Sequence, residues 1–259
     1  MPPDLTVRLE EPGGDLFGRR RRKIGFTRRL AGPSLQRMRV RWGRGLPWRL
    51  YSHLDAVRAI ERAIRRSGIP AAYSEGFHPR LKLAFGPPLA FGLISSAEYL
   101  DLVLEQEYEP AFAERVADAL PEGISLIETR GVPTAMPALT DMINEGVFRA
   151  VIPMLASEAR EKLDRFHAQG DIRWRRPDRP ERKPVDPRKT LIETTVEAAD
   201  SGTQWNLRVR LGGEGNLRPV DWAILLFGFT PDDLSELVIE RTALLIRQTG
   251  GTRSPFEPI

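Results

Sequence analysis

Residues 38–68 read MRVRWGRGLPWRLYSHLDAVRAIERAIRRSG, a stretch that contains two different periodicities. Its first five residues alternate apolar side chains with arginine, which predicts a short strand at 38–42. Ser52 then precedes Asp55 by three positions, a spacing typical of a capping box at a helix start. Apolar residues recur at helical spacing from there to Gly68, which predicts one amphipathic helix. They are Leu54, Val57, Ile60 and Ile64.

The pattern continues downstream with a second helix and further strands. After the basic helix we expect strands at 72–85, 98–104 and 124–127, with a helix at 110–120. The order strand, helix, strand, strand, helix, strand is the split βαβ, ferredoxin-like plan. A similar mixture follows, with strands expected at 147–153, 172–176, 190–196 and 205–211 around a helix at 157–169. We therefore expect an α+β fold with two ferredoxin-like units in tandem, the second degenerate.

The C-terminal region predicts one more helix. Thr230-Pro231-Asp232-Asp233 has the features of a helix start, with Thr as the cap and Pro at the first helical position. An apolar stripe follows at Leu234, Leu237, Val238, Leu244 and Leu245. We expect the final helix to run through this stripe.

Composition divides the chain into five parts. Residues 1–36 contain the basic run Arg19-Arg20-Arg21-Arg22-Lys23 and few periodic apolar positions, so we expect a basic, disordered N-terminal arm. The remaining parts are ferredoxin-like unit 1 at 37–130, a linker at 131–146, an α+β unit 2 at 147–250, and a tail at 251–259.

Composition also excludes several classes of chemistry. The chain has no cysteine, which rules out disulfides, a catalytic thiol and any iron–sulfur cluster that this chain would ligate. Only three histidines are present, so we expect no metal site and no cofactor. There is no apolar run of membrane-spanning length and no leader pattern, and we expect a cytoplasmic protein without a membrane partner.

Charge is strongly segregated along the chain. Residues 37–82 contain 11 Lys or Arg against 3 Asp or Glu, whereas residues 83–145 contain 2 against 11. Such segregation favours a dipolar field with one face that attracts anions. The candidate nucleic-acid-binding residues lie on the polar side of the first helix and in the segment after it. They are Arg58, Arg62, Arg65, Arg66, Arg80 and Lys82.

The most unusual motif is Tyr73-Ser74-Glu75-Gly76-Phe77-His78-Pro79-Arg80, followed by Phe85-Gly86-Pro87-Pro88-Leu89. Glycine and proline do not suit regular ladder positions in a strand. The motif therefore predicts a shaped loop that holds His78 and Arg80 at a fixed angle.

With these motifs, the sequence resembles the radical-SAM-linked proteins that carry the domain DUF2344. The resemblance covers about residues 37–247, and His78 stands where that family commonly has Asn. The matching positions are Ser52-His53-Leu54-Asp55, Tyr73 to Pro79, Pro88-Leu89, Gly92, Ser95, Glu98, Lys183, Asp186-Pro187-Arg188, Gly215-Asn216-Leu217-Arg218-Pro219 and Arg241-Thr242. The motif loops thereby include Ser74, Gly76, Phe77, His78, Pro79, Asp186, Arg188, Asn216 and Arg218.

The resemblance implies a setting for the protein. Members of that family are encoded beside, or fused to, a radical SAM protein, and often near genes for ribosomal proteins and a ribonuclease of the E/G type. This implies a role in RNA or ribosome metabolism. Because this chain has no cysteine for a cluster, the resemblance implies that it is the partner of the radical SAM enzyme.

Three functional hypotheses follow from the sequence. The first is a non-catalytic protein that binds RNA, or presents a substrate, for a radical SAM enzyme. The second is an RNA-processing or RNA-modifying enzyme that uses His53, Asp55 or His78 as acid–base groups. The third is a protein-interaction scaffold whose basic helix docks onto an acidic partner.

Overall fold

The computed structural model describes residues 35–181, 183–212 and 216–257. Residues 1–34 of the predicted basic arm lie outside the described residues. The first half of the chain contains β1 (Gln36–Arg44), α1 (His53–Arg66), β2 (Leu83–Phe85), β3 (Ile94–Leu104), α2 (Pro110–Ala119) and β4 (Ile124–Val132). The second half contains α3 (Leu139–Met142), β5 (Glu145–Ile152), α4 (Ala156–Ala168), β6 (Leu191–Ala199), β7 (Gly202–Arg210), α5 (Pro219–Phe227), α6 (Pro231–Glu236), β8 (Ile239–Gln248) and β9 (Gly251–Arg253).

The first four strands lie in the order β4-β1-β3-β2, and each pairs with its neighbour in an antiparallel direction. Val40 of β1 stands opposite Leu100 of β3 on one side and Thr129 of β4 on the other. The helix that precedes β2 begins as expected: the Ser52 hydroxyl accepts from the Asp55 N–H, and the Asp55 carboxylate accepts from the Ser52 N–H. The predicted capping box is confirmed.

The strands of the second half lie in the order β8-β5-β7-β6, again with antiparallel neighbours. The two halves join where β3 and β8 run parallel, with Ile94 opposite Glu240 and Ser95 opposite Arg241. The described chain is therefore a mixed α+β structure built on one nine-stranded, largely antiparallel sheet. The α+β class predicted from the sequence is confirmed.

The final helix predicted through residues 234–245 is wrong beyond Glu236. Helix α6 ends there, Leu237 is extended, and residues 239–248 form β8. The run LVIERTALLI at 237–246 fits a helical period and a strand period about equally. Backbone hydrogen bonding to β5 on one side and β3 on the other decides in favour of the strand.

Helices α1, α2, α4 and α5 cover one face of the sheet in two main apolar clusters. In the first half, Met38, Trp42 and Leu102 pack against Ile60 of α1 and Phe112 of α2. In the second half, α4 and α5 cover the strands with a cluster whose large members are Phe148, Leu163, Phe166, Trp205 and Trp222. Burial of these apolar side chains is the main favourable contribution to folding.

The segments expected as linker and tail contain regular structure and buried side chains. Residues 131–146 include the end of β4, helix α3 and the start of β5, and Leu139 and Met142 are buried. In the C-terminal segment β9 pairs with β8, and Phe256 packs edge-on against Tyr99. These contacts cover the sheet face opposite α1.

Buried ion pairs lie within the sheet. Arg39 donates two hydrogen bonds to Asp101, at 2.7 and 2.9 Å. Arg241 contacts Glu98 through Nε at 2.8 Å and also through Nη2. All four residues are almost fully buried. The two carboxylates lie on β3, in the acidic segment, and their arginines come from β1 and β8. A buried pair leaves an uncompensated charge when one member is removed.

We predict that Glu98→Ala destabilises the protein by about 3–5 kcal/mol, because the Arg241 guanidinium then stays buried without its carboxylate. Urea denaturation of the wild type and the variant measures this difference. The matched control is Glu161→Ala, which breaks a pair with Arg165 that is mostly exposed and should change the midpoint little.

The double variant Glu98→Leu with Arg241→Met tests whether the loss of stability comes from the unpaired charge. Because it removes both charges and keeps apolar volume, it should recover most of the lost stability. A Glu98→Ala variant that unfolds at the same urea concentration as the wild type would contradict the prediction.

Candidate nucleic-acid interface

Helix α1 buries one apolar face, but Leu54 of the predicted stripe is 62% exposed, because it lies one turn before Arg58 on the basic side. Ala56, Ala59, Ile60, Ala63 and Ile64 are buried against the sheet and α2. The structure brings four of the predicted cations together on the opposite, exposed face, because their spacing of 4, 3 and 1 residues keeps them on one side of a helix. They are Arg58, Arg62, Arg65 and Arg66.

The four arginines are only lightly engaged by the rest of the protein. Arg58 lies 3.9 Å from the Asp55 carboxylate, and both side chains are largely exposed. Arg66 donates a 2.6 Å hydrogen bond to the carbonyl of Ala119, the last residue of α2, where a cation suits the helix dipole. Within the described residues, Arg62 forms no ion pair or hydrogen bond through its guanidinium.

The Tyr73–Arg80 motif forms a hairpin with a fixed base. Tyr73 pairs with Leu81, the Ser74 N–H donates to the Arg80 carbonyl at 2.8 Å, and the Arg80 N–H donates to the Ser74 hydroxyl at 3.0 Å. At the tip, Gly76 has a φ of +116°, a conformation that side chains disfavour. The predicted shaped loop is therefore present, with Phe77 and His78 exposed at its tip.

One contact attaches this hairpin to α1. The Arg65 guanidinium lies over the Tyr73 ring, 5.5 Å from its centroid, which is a cation–π distance. Tyr73 and its strand neighbour Leu81 therefore face the helix layer, and Leu81 belongs to the same apolar cluster as Ile60.

The remaining predicted cations lie on the other side of the hairpin. Successive residues of a strand point to opposite faces, so Arg80 and Lys82, which flank the helix-facing Leu81, point away from α1. The sequence placed all six cations on one surface, but the structure divides them. Four lie on the α1 face, and the strand pleat directs the other two to the opposite side of the hairpin.

The three acid–base candidates are not brought together. His53 is the first residue of α1 and packs edge-on against Phe85, with ring centroids 5.8 Å apart. His78 lies on the hairpin that Arg65 contacts near the opposite end of α1, about 20 Å along a 14-residue helix. Asp55 is occupied by its capping hydrogen bonds, and these bonds lower the pKa of its carboxyl group.

The environment of His53 disfavours its charged form. Partial burial lowers the pKa of the imidazole below its ordinary value of 6.5. The nearby Glu98 carboxylate acts in the opposite direction, whereas the guanidinium groups of Arg44 and Arg241 add to the lowering. His53 therefore stays neutral near pH 7 and contributes no positive charge to the α1 face.

The later motif residues stabilise local structure. The Asp186 carboxylate accepts from the Arg188 N–H at 3.1 Å, and the Arg188 side chain donates to carbonyls at the C-terminus of α4, including those of Gln169 and Gly170. The hydrogen bond to Asp221 raises the pKa of Arg218 above its ordinary value. Asn216 is exposed, and residues 213–215 of the glycine-rich loop lie outside the described residues.

The sequence did not predict an apolar groove between the halves of the molecule. A groove of about 620 Å³ is lined by residues that include Leu46, Leu50, Phe91 and Leu234. Leu46, Leu50 and Phe91 are each at least 60% exposed. Arg49 crosses its floor and donates to the carbonyls of Gly92 and Leu237. Leu50 and Phe91 lie in turns, Leu46 in a short 3-10 helix and Leu234 in α6, so no single periodic segment marks this apolar surface.

None of the helices in the described part is long and apolar enough to cross a membrane. The described side chains contain no cluster of three or more His, Cys, Asp or Glu residues that could hold a metal ion.

A comparison with protein families returned one match. A family model described as an uncharacterized protein conserved in bacteria (DUF2344) matches residues 37–219. No curated protein matches the chain.

We predict that His53 makes stability depend on pH below neutrality. As the pH falls through 6.5, His53 takes up a proton in the unfolded state but not yet in the folded state. The free energy of unfolding therefore decreases until the pH passes the lower pKa of His53 in the folded state. Urea denaturation from pH 7 to pH 5 should therefore show the wild type losing stability relative to His53→Gln, which does not titrate. An unchanged difference between the two proteins over this range, or an NMR titration of His53 at or above 6.5, would contradict it.

Proposed function

The chain belongs to the DUF2344 family, and from this premise and the geometry of α1 we propose that it is a non-catalytic RNA-binding or substrate-presenting partner of a radical SAM enzyme in RNA or ribosome metabolism. The observation that carries the proposal is the exposed row of Arg58, Arg62, Arg65 and Arg66 on one helix face. Guanidinium groups suit phosphate because they donate in a planar, bidentate fork.

The distribution of carboxylates supports the proposal. The acidic segment could have neutralised α1, but its buried members are engaged elsewhere. Glu98 pairs with Arg241, Asp101 with Arg39, and Glu145 with Arg208. Helix α1 itself carries Asp55 and Glu61 beside its four arginines, so its own net charge stays positive. Such a surface attracts a polyanion over a distance of one Debye length, ~8–10 Å.

The radical SAM part of the proposal rests on the sequence resemblance. The motifs quoted for it are distributed over both halves of the chain, and the chain has no cysteine with which to bind a cluster itself. In this proposal the RNA-binding chain and the radical SAM enzyme are separate components that meet in the cytoplasm.

We also propose that the two halves are ferredoxin-like units in tandem. The strand orders β4-β1-β3-β2 and β8-β5-β7-β6 are the same when each half is numbered from its own first strand. Antiparallel neighbours in both halves support this proposal. Sheets of this kind commonly present one face to nucleic acid in RNA-binding modules, although here the basic surface is on the helix layer.

Protein interaction is a second candidate function, and the groove favours it. Leu46, Leu50 and Phe91 expose apolar surface around a concave site, and patches of this kind mark interaction surfaces. Its proposed occupant is the radical SAM protein. No described geometry favours the acid–base enzyme, because His53 and His78 are at opposite ends of α1.

We predict that the triple variant Arg58→Gln, Arg62→Gln, Arg65→Gln binds RNA more weakly and with less salt dependence. Each lost phosphate contact should reduce the slope of log K against log salt by about 0.7, so three contacts remove about 2. Fluorescence anisotropy with a labelled RNA oligomer at a series of salt concentrations measures both quantities.

The matched control is Arg160→Gln with Arg165→Gln, which removes two exposed arginines from α4. This control should keep the wild-type slope. Equal slopes for the triple variant and the wild type, or no RNA binding by the wild type at low salt, would refute the proposed function.

We predict that Phe91→Glu weakens binding to the purified radical SAM protein of the same genome, because it places a charge in the apolar groove. Isothermal titration calorimetry after nuclease treatment measures the complex without an RNA bridge. The control is Phe77→Glu, which changes an exposed phenylalanine outside the groove and should leave this affinity unchanged. If Phe91→Glu binds as tightly as the wild type, the groove is not the docking site.

A further inference from the structure

The tip of the hairpin carries the most exposed aromatic side chain of the described residues. Phe77 is 74% exposed, whereas the aromatic side chains of Trp42, Trp205 and Trp222 are buried in the core. A single exposed phenylalanine is ordinary on a protein surface, so its meaning here depends on what surrounds it. The ring does not extend the apolar groove, which Leu46, Leu50 and Phe91 line.

Backbone hydrogen bonds fix the base of the hairpin that carries this ring. The turn is closed by the backbone bond from Ser74 to Arg80 at 2.8 Å and by the bond from Lys82 to Ala72 at 2.9 Å. The Arg65–Tyr73 contact attaches its base to α1. A side chain carried on a closed turn requires less ordering of the backbone on binding, which favours its use as a stacking platform.

Charge surrounds the ring on two sides. The α1 arginines lie on one side of the hairpin, and Arg80 and Lys82 lie on the other. The tip itself carries Glu75 and His78 next to the ring. A nucleic acid that turned around the tip would reach both basic groups and pass over Phe77.

Only a flexible strand can make such a turn. A duplex is stiff over about 150 base pairs, so it cannot fold around a single β-hairpin, and its bases are already stacked on one another. A single strand bends freely and offers unpaired bases, which aromatic side chains stack upon in many single-strand-binding proteins.

We propose that Phe77 is a base-stacking residue that makes this protein selective for single-stranded RNA, with an unpaired base on the ring and the flanking phosphates on the two groups of cations. This inference rests on the proposed RNA-binding function. It adds the form of the RNA, the residue that selects it and the path of the strand around the hairpin.

The experiment compares two forms of one RNA with the full-length chain. A fluorescein-labelled 12-nucleotide adenine-rich RNA is used alone and annealed to its complement, and anisotropy gives both affinities at fixed salt. The variants are Phe77→Ala, Phe77→Leu and Phe77→Trp. Leucine keeps an apolar side chain without a π-face, and tryptophan keeps the π-face.

Phe77→Ala should bind the single strand about tenfold more weakly, the lower part of the range for one base stacked on an aromatic ring, and should bind the duplex as the wild type does. Phe77→Leu should behave like alanine, and Phe77→Trp should restore affinity. The difference in tryptophan fluorescence between Phe77→Trp and the wild type should be quenched when the single strand binds.

The alternative outcomes separate the two proposals. If the wild type binds RNA and the triple arginine variant does not, but Phe77→Ala changes neither affinity, the stacking inference fails and the RNA-binding function stands. If Phe77→Leu equals the wild type, the ring makes a general apolar contact and base stacking is refuted. If the wild type binds neither form, both proposals fail.

Discussion

The arrangement of the two halves of the molecule depends on the parallel pairing between β3 and β8. It is a short ladder, with Ser95 opposite Arg241, and it is reinforced by side chains. The Ser95 hydroxyl donates to the Arg241 carbonyl, and the Arg241 guanidinium reaches Glu98 on β3 and the carbonyls of Pro87 and Pro88. A single buried arginine thus connects the last long strand to both a strand and a loop of the first half.

The pairing of buried charges in the sheet also explains why the surface of α1 remains basic. A buried carboxylate must be paired, and β3 supplies two that take their partners from β1 and β8, Arg39 and Arg241. Arg39 and Arg241 are thereby committed to structure, whereas Arg58 and Arg62 of α1 are exposed. Arg188 and Arg218 follow the first pattern, since both are engaged at helix ends.

Local patterns in the sequence predicted local structure well. The capping box at Ser52 and the basic face of α1 depend on spacing within one helix, and the structure has both. The strand identity of β8 could not be read in this way, because its apolar run suits a helix equally and its neighbours in the sheet are far away in sequence. The sequence did not show that Arg80 and Lys82 point away from α1, because this conclusion requires knowing that Leu81 faces the helix. The groove at Phe91 gave no signal, because short segments from separate parts of the chain form it.

The distance in sequence between Glu98 and Arg241 has a consequence for synthesis of the protein on the ribosome. The two residues are 143 positions apart. At a bacterial or eukaryotic elongation rate of about 5–20 residues per second, roughly 7–30 s pass between the emergence of the carboxylate and that of its guanidinium. During that interval the nascent first half can form its helices and most of its strands, but one end of β3 waits for an edge partner. The order of translation therefore makes β8 the last long strand to join the sheet. An arrested or truncated chain without β8 would leave an acidic, unpaired end of β3 exposed to proteases and chaperones.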